Sequence, residues 1–140
     1  MTYCSPIWSH ADISKLNQVQ NKAMRVFLGV HKYAPIHGVI GDMGWSNFEY
    51  HKDVEQVRFW NKLMCMDESR ITKTVFNLDY DTCVANTSTW CANMKKMFDR
   101  AGLISYYDRK STCDIIFFTE EVSSRALRIW KDEIVKKPKL

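Results

Sequence analysis

Carboxylates are the side chains in this sequence that could hold catalytic metal ions. A polymerase or nuclease centre with two divalent cations needs grouped acids, which usually appear as an Asp-Asp pair on a hairpin or as acids on neighbouring strands. The sequence contains no Asp-Asp pair. Its nearest arrangement, Asp79-Tyr80-Asp81, lies in a polar stretch without strand-like flanks, and Asp42 is better explained as a helix-terminal residue. We therefore expect no catalytic residue and no metal site.

Cysteines, histidines and glycines also do not indicate a catalytic, metal or phosphate-binding site. The five cysteines, Cys4, Cys65, Cys83, Cys91 and Cys113, form no C-x-x-C pair, and the four histidines do not repeat at zinc-site spacing. No serine lies in a strand-turn-helix elbow, and the G-D-M-G run lacks the spacing of a phosphate-binding loop. We expect reduced thiols, no cofactor, no small-molecule substrate and no independent enzymatic activity.

Basic residues at helical spacing are the remaining candidates for function. Steps of three or four place such residues along one helix face, where they could follow a phosphate backbone. The alternative interpretation is an ordinary solvated face, because a net charge of +4 is only mildly basic. The candidate nucleic-acid contacts are Lys22, Arg25, Lys32, Arg58, Lys62, Lys95, Lys96 and Arg100.

Helices are predicted to position these side chains. Apolar residues recur at steps of three and four in residues 12–28, 46–66 and 88–101 and in a last helix from Thr119 to about Pro138. Ser46 and Glu49 form a capping box at the start of the second of these segments, and Ser88 or Thr87 can cap the third. Two shorter helices are predicted, one from Pro35 to Met43 and one around Ile71, Val75 and Phe76.

The connections are predicted from polar and turn-forming residues. Residues 77–89 are rich in Asn, Asp and Thr and are predicted to form a polar loop. Tyr106-Tyr107 is predicted to be a connection, and residues 113–118 a short helix or a buried turn. With 140 residues and 46% hydrophobic content, the chain is predicted to form a single all-α domain over residues 1–140, an irregular bundle of about six helices. Its apolar runs are too short to cross a membrane, and we expect a soluble, intracellular chain.

Several ordered segments resemble the C-terminal region of reverse-transcriptase proteins from non-LTR retrotransposons. The first is Tyr3-Cys4-Ser5-Pro6-Ile7-Trp8, where Cys4 replaces the glycine usual in that family. The segments that follow are Leu16 with Val19 to Arg25, Leu28-Gly29-Val30, Pro35, Gly41-Asp42-Met43-Gly44-Trp45, Arg58 to Leu63, Arg70 to Lys73, Trp90-Cys91, Trp130-Lys131 and Lys137-Pro138-Lys139-Leu140. The resemblance covers almost the whole chain.

This resemblance implies a thumb-like region and tail that follow a polymerase palm, with none of the palm's catalytic residues in this chain. Such a segment is expected to contact RNA, an RNA–DNA duplex or the palm itself, and to expose apolar surface near Ile7, Trp8 and the first helix where the palm is missing. We expect a non-catalytic segment with sequence-tolerant backbone binding. The alternative is a helical protein-interaction module that does not bind nucleic acid.

Overall fold

The computed structural model describes residues 12–46, 48–84 and 88–136, and within these ranges it contains seven α-helices and no β-strand. The helices are α1 (Ser14–Phe27), α2 (Ile36–Met43), α3 (Phe48–Met64), α4 (Ile71–Thr82), α5 (Trp90–Ala101), α6 (Ile104–Asp108) and α7 (Ile115–Lys136). The predicted all-α fold is therefore confirmed. Residues 1–11, 47, 85–87 and 137–140 lie outside the described ranges, and with them the Tyr3–Trp8 motif, Thr87 and the expected stop at Pro138.

Helix α4 is longer than the sequence predicts. Residues 77–82, expected to begin a polar loop, are helical. The reason is packing, since the Phe76 ring is buried and the Tyr80 ring stacks on that of Tyr107 at 4.9 Å between centroids. These tertiary contacts override the weak helix propensity of Asn77, Asp79 and Thr82.

The carboxylate of Asp79 has a structural role. Asp79 Oδ2 accepts a 2.8 Å hydrogen bond from the backbone N–H of Cys91, the second residue of α5. A carboxylate at this position satisfies an unpaired helix donor and complements the positive end of the helix dipole. The cap of α5 is Thr89, whose hydroxyl accepts from Ala92 N, so the predicted cap at Ser88 is wrong by one residue.

The C-terminal third of the chain also differs from the prediction. Tyr106 and Tyr107 belong to the short helix α6 instead of a connection. Residues 115–118 and the predicted last helix form one continuous helix, α7. Its first turn is capped by Asp114, whose carboxylate accepts from Phe117 N at 2.9 Å, so the start predicted at Thr119 is four residues late.

The helices form two compact units. We call residues 52–84 with 88–121 the aromatic unit, and residues 12–46, 48–51 and 122–136 the basic unit. Helices α3 and α7 each contribute residues to both.

Trp60 is at the centre of the aromatic unit and is fully buried. Its indole lies 5.4–5.6 Å from the rings of Phe76, Phe98 and Tyr107, centroid to centroid, and its Nε1 donates a 2.9 Å hydrogen bond to the Ser111 carbonyl. Pairs of rings at these separations add stabilisation beyond the area that they bury. The helical period of α3 and α5 predicts packing residues that form most of this core. Val54, Val57, Trp60, Met94, Met97, Phe98 and Ala101 are buried, and the other two predicted residues, Met64 and Trp90, are half-buried.

The basic unit contains α1, α2, the first residues of α3 and the second part of α7. Two α1 side chains contact the start of α3: Gln20 Nε2 donates to the Ser46 carbonyl at 2.9 Å, and Asn17 Oδ1 accepts from Phe48 N at 3.3 Å. The second bond satisfies a backbone donor in the first turn of α3. The helix begins near the predicted capping box, but Asn47 lies outside the described ranges and the box itself is untested.

Candidate nucleic-acid interface

Residues 13–41 form a segment without acidic side chains. They carry four Lys or Arg and no Asp or Glu, which leaves sixteen residues of each sign in the rest of the chain. The formal charge of +4 therefore lies entirely in this segment. A continuous stretch of one sign attracts a polyanion more strongly than the mild overall charge indicates, because none of its bases has an acid next to it in the sequence.

Helix α1 provides the first part of this segment. Met24 is buried, whereas Val19, Lys22 and Val26 lie on the opposite, exposed side of the helix. The three- and four-residue period of this segment predicts an inward face made of Ile13, Leu16, Val19, Ala23 and Phe27. This prediction is partly wrong, since Val19 and Phe27 are mostly exposed. The α1 part of the expected apolar surface is present, whereas Ile7 and Trp8 lie outside the described residues.

A tight turn follows α1 and carries the next basic residue of the segment, Lys32. Gly29 adopts the left-handed conformation with φ 66°, while Val30 N bonds to the Arg25 carbonyl and Gly29 N to that of Val26. This double hydrogen bond is the Schellman arrangement, which reverses the chain after a helix. Arg25 Nε then donates to the Ala34 carbonyl at 3.2 Å and ties the far side of the turn to α1.

The turn displays Lys32 and Tyr33 to solvent. Both are exposed, and Lys32 Nζ lies 4.9 Å from the centroid of the Tyr33 ring. The ring of His31 is 5.1 Å from that of Tyr33 on the same turn. Arg25, in contrast, is half-buried and holds the turn together, so its role is at least partly structural.

Helix α7 adds basic residues that the candidate set from the sequence lacks. Within the basic unit, Trp130 Nε1 donates to the His37 carbonyl at 2.9 Å, and His37 Nε2 lies 3.0 Å from Glu133 Oε2. These contacts fix one side of α7 against α2. Arg128 is two residues before Trp130 and points to the opposite side of the helix. The set Arg125, Arg128 and Lys131 recurs at steps of three, a spacing visible in the sequence.

The other five candidates lie in the aromatic unit, where acids balance the bases. Arg100 Nη2 lies 2.8 Å from Oδ2 of the buried Asp53, and Arg58 pairs with Glu55 one helical turn away. Lys62, Lys95 and Lys96 are exposed. The described residues of this unit carry ten Lys or Arg against eleven Asp or Glu, whereas those of the basic unit carry eight against five. The electrostatic argument for an anionic partner therefore applies to the basic unit.

Two buried thiols are poorly suited to nucleophilic chemistry. Burial raises the pKa of the Cys113 thiol to about 11, and burial together with the nearby Asp79 carboxylate raises the pKa of Cys91 further. Because the thiolate is the reactive form, both groups are unreactive near neutral pH. Burial also raises the pKa of the Tyr107 hydroxyl, which lies 3.2 Å from Cys83 Sγ.

Comparison with known proteins finds no matching family model, no matching curated protein and no matching solved structure. In the described ranges, no helix combines the length and apolar character needed to span a membrane.

Proposed function

We propose that this chain is a non-catalytic helical segment related to the C-terminal region of non-LTR retrotransposon reverse transcriptases, and that its basic unit binds the sugar-phosphate backbone of RNA or DNA. The observation that carries the binding proposal is the acid-free segment 13–41, which accounts for the whole net charge. Contacts of this kind depend on charge and carry little base selectivity.

The geometry of the basic unit supports a backbone-binding role. Lys22 is exposed on α1, and Lys32 is exposed on the following turn, which internal hydrogen bonds hold in place. A fixed turn loses less conformational entropy when it binds than a mobile one would. The aromatic-unit candidates remain predictions, and their acidic neighbours argue for a smaller contribution.

The proposed relationship draws support from the roles of the motif residues. Trp60 and Asn61, in the motif from Arg58 to Leu63, bond to the backbone of residues 111–113. Gly41 and Trp130, from two other motifs, pack directly on each other. These residues hold each unit together, which is what a fold inherited with the motifs would require.

Salt-dependent titration tests the binding proposal. Labelled single-stranded RNA, single-stranded DNA and duplex DNA are each titrated with the full chain at several salt concentrations, and binding is followed by fluorescence anisotropy. Three or four phosphate contacts predict a slope of log K against log salt of roughly −2 to −3 for single strands. Absence of binding at low salt, or binding that salt does not weaken, would refute the proposal.

A protein-interaction module is the second candidate, and helix α4 favours it. Ile71, Val75 and Leu78 recur at steps of four and three and are 58–82% exposed, so they form an uncovered apolar stripe. A nuclease-treated lysate is passed over wild-type protein, Val75→Lys and Lys22→Ala/Lys32→Ala. This candidate would be favoured if one protein partner binds the wild type and Lys22→Ala/Lys32→Ala but not Val75→Lys, and if the wild type does not bind nucleic acid.

A further inference from the structure

Two aromatic rings at the end of α1 are exposed in the acid-free segment. Phe27 is 78% exposed and Tyr33 is 76% exposed. Large rings this accessible are costly to leave in water, and most of the other rings among the described residues are buried or half-buried. They lie in the same segment as the exposed Lys22 and Lys32, and Lys32 Nζ is 4.9 Å from the centroid of the Tyr33 ring.

Several hydrogen bonds hold the turn between the two rings. Val30 N and Gly29 N bond back to the last turn of α1, and Arg25 Nε bonds to the Ala34 carbonyl next to Tyr33. The chain segments that carry Phe27 and Tyr33 are thus fixed at the same end of the helix. Backbone restraint of this kind prepares a surface for binding without further ordering.

Lysines and exposed rings together match the chemistry of single-stranded nucleic acid. Proteins bind single strands by stacking bases on aromatic side chains while basic groups follow the phosphates. A duplex offers no accessible base faces, so exposed rings would add nothing to duplex binding. An anionic membrane is the competing partner, because Val19, Val26 and Phe27 are exposed apolar side chains of α1, and vesicle binding is therefore one outcome of the test.

We infer that the end of α1 is a stacking site for single-stranded nucleic acid, in which Tyr33 and Phe27 contact bases while Lys32 and Lys22 contact phosphates. The inference rests on the proposed backbone binding and adds the strand type and the contacting rings. Lys32 Nζ already lies 4.9 Å from the Tyr33 ring centroid, so one nucleotide can meet both groups.

Matched ring variants test the stacking contact. Tyr33→Leu and Phe27→Leu keep apolar bulk but remove the flat ring, whereas Tyr33→Phe keeps the ring and removes only the hydroxyl. Each is titrated with labelled oligo(dT), oligo(U) and a DNA duplex. We expect each Leu variant to weaken single-strand binding about 5- to 100-fold and to leave duplex binding unchanged, with Tyr33→Phe close to wild type.

A crosslinking readout separates contact from a change of fold. Oligonucleotides carrying 4-thiouridine are irradiated with wild-type protein, and the modified peptides are identified by mass spectrometry. Crosslinks within residues 26–34 support the site. If the wild type and both Leu variants bind single strands with equal affinity, the stacking inference is wrong. If the wild type still binds in a salt-dependent way, the proposed function is unaffected by that result. Wild-type binding only to vesicles of phosphatidylcholine and phosphatidylserine overturns both.

Discussion

The indole of Trp130 lies directly over Gly41, and a Cβ built on Gly41 would be 3.0 Å from Trp130 Cζ2. The indole cannot easily move away, because its Nε1 is bonded to the His37 carbonyl at 2.9 Å. The pair therefore fixes how closely α7 approaches α2 within the basic unit. The indole leaves no room for a side chain at position 41, although the helical backbone there would favour alanine over glycine.

Gly41→Ala is predicted to destabilise the protein by about 1 kcal/mol or more, because overpacking against the fixed indole outweighs the better helix propensity of alanine. Urea unfolding measures the change in the free energy of unfolding. In a Trp130→Ala background the same substitution should stabilise by about 0.5–1 kcal/mol, since only the propensity effect is left. The same sign in both backgrounds would contradict the contact.

Asn61 is predicted to be one of the most sensitive polar residues of the aromatic unit. Its amide donates to the Cys113 carbonyl at 2.7 Å and accepts from Cys113 N at 2.8 Å, which holds residues 111–113 on α3. Asn61→Ala should lower the free energy of unfolding by roughly 1–3 kcal/mol, the net value of two partly buried hydrogen bonds. Asn77→Ala is the matched control, since the Asn77 amide donates to exposed Glu68 and the substitution should change stability by less than about 0.5 kcal/mol.

The reactivity of Cys113 is predicted to depend steeply on pH. Burial raises its pKa from an ordinary value of 9.0 to about 11, so the thiolate is a minor species at neutral pH and increases about tenfold per pH unit up to the raised pKa. Alkylation followed by peptide mass spectrometry should modify exposed Cys65 first and Cys113 much later. In denaturant the difference should disappear. Equal rates in the folded protein would show that Cys113 is not buried.

Stability is also predicted to fall at alkaline pH. Burial raises the folded-state pKa of Cys113, and the contribution of this thiol is therefore fully present below about pH 9 and lost as pH rises towards 11. Cys113→Ala removes the titrating group and should flatten this part of the pH profile of the free energy of unfolding. An unchanged profile in Cys113→Ala would assign the alkaline loss to other groups.

Local signals predicted some parts of the fold correctly. The packing residues of α5 and the region where α3 begins follow from periodicity and capping residues close together in the chain. The second half of α4 could not be predicted in this way, since Phe76 and Tyr80 are held by rings from α3, α5 and α6. The buried face of α1 was predicted partly wrongly, because apolar residues lie on both sides of this helix and the long-range bonds from Asn17 and Gln20 are not visible in the sequence.

The candidate interface could also be predicted only in part from the sequence. Lys22 and Lys32 are exposed, as a binding role requires, but their sequence pattern alone did not distinguish them from the bases of the aromatic unit. Arg58 pairs with Glu55, three residues before it on the same helix, whereas Arg100 pairs with Asp53, which only the folded structure brings next to it. The arginines of α7 became candidates only when the Trp130–His37 contact assigned their side of the helix to solvent.

Two double variants of equal charge test the central claim, that the basic unit is the nucleic-acid interface. Lys22→Ala/Lys32→Ala removes two exposed charges from the basic unit, and Lys62→Ala/Lys95→Ala removes two from the aromatic unit. Salt titration with labelled single-stranded RNA should show a slope shallower by about 1.4 for the first variant and almost no change for the second. Equal losses in the two variants, or a greater loss in the second, would contradict the claim.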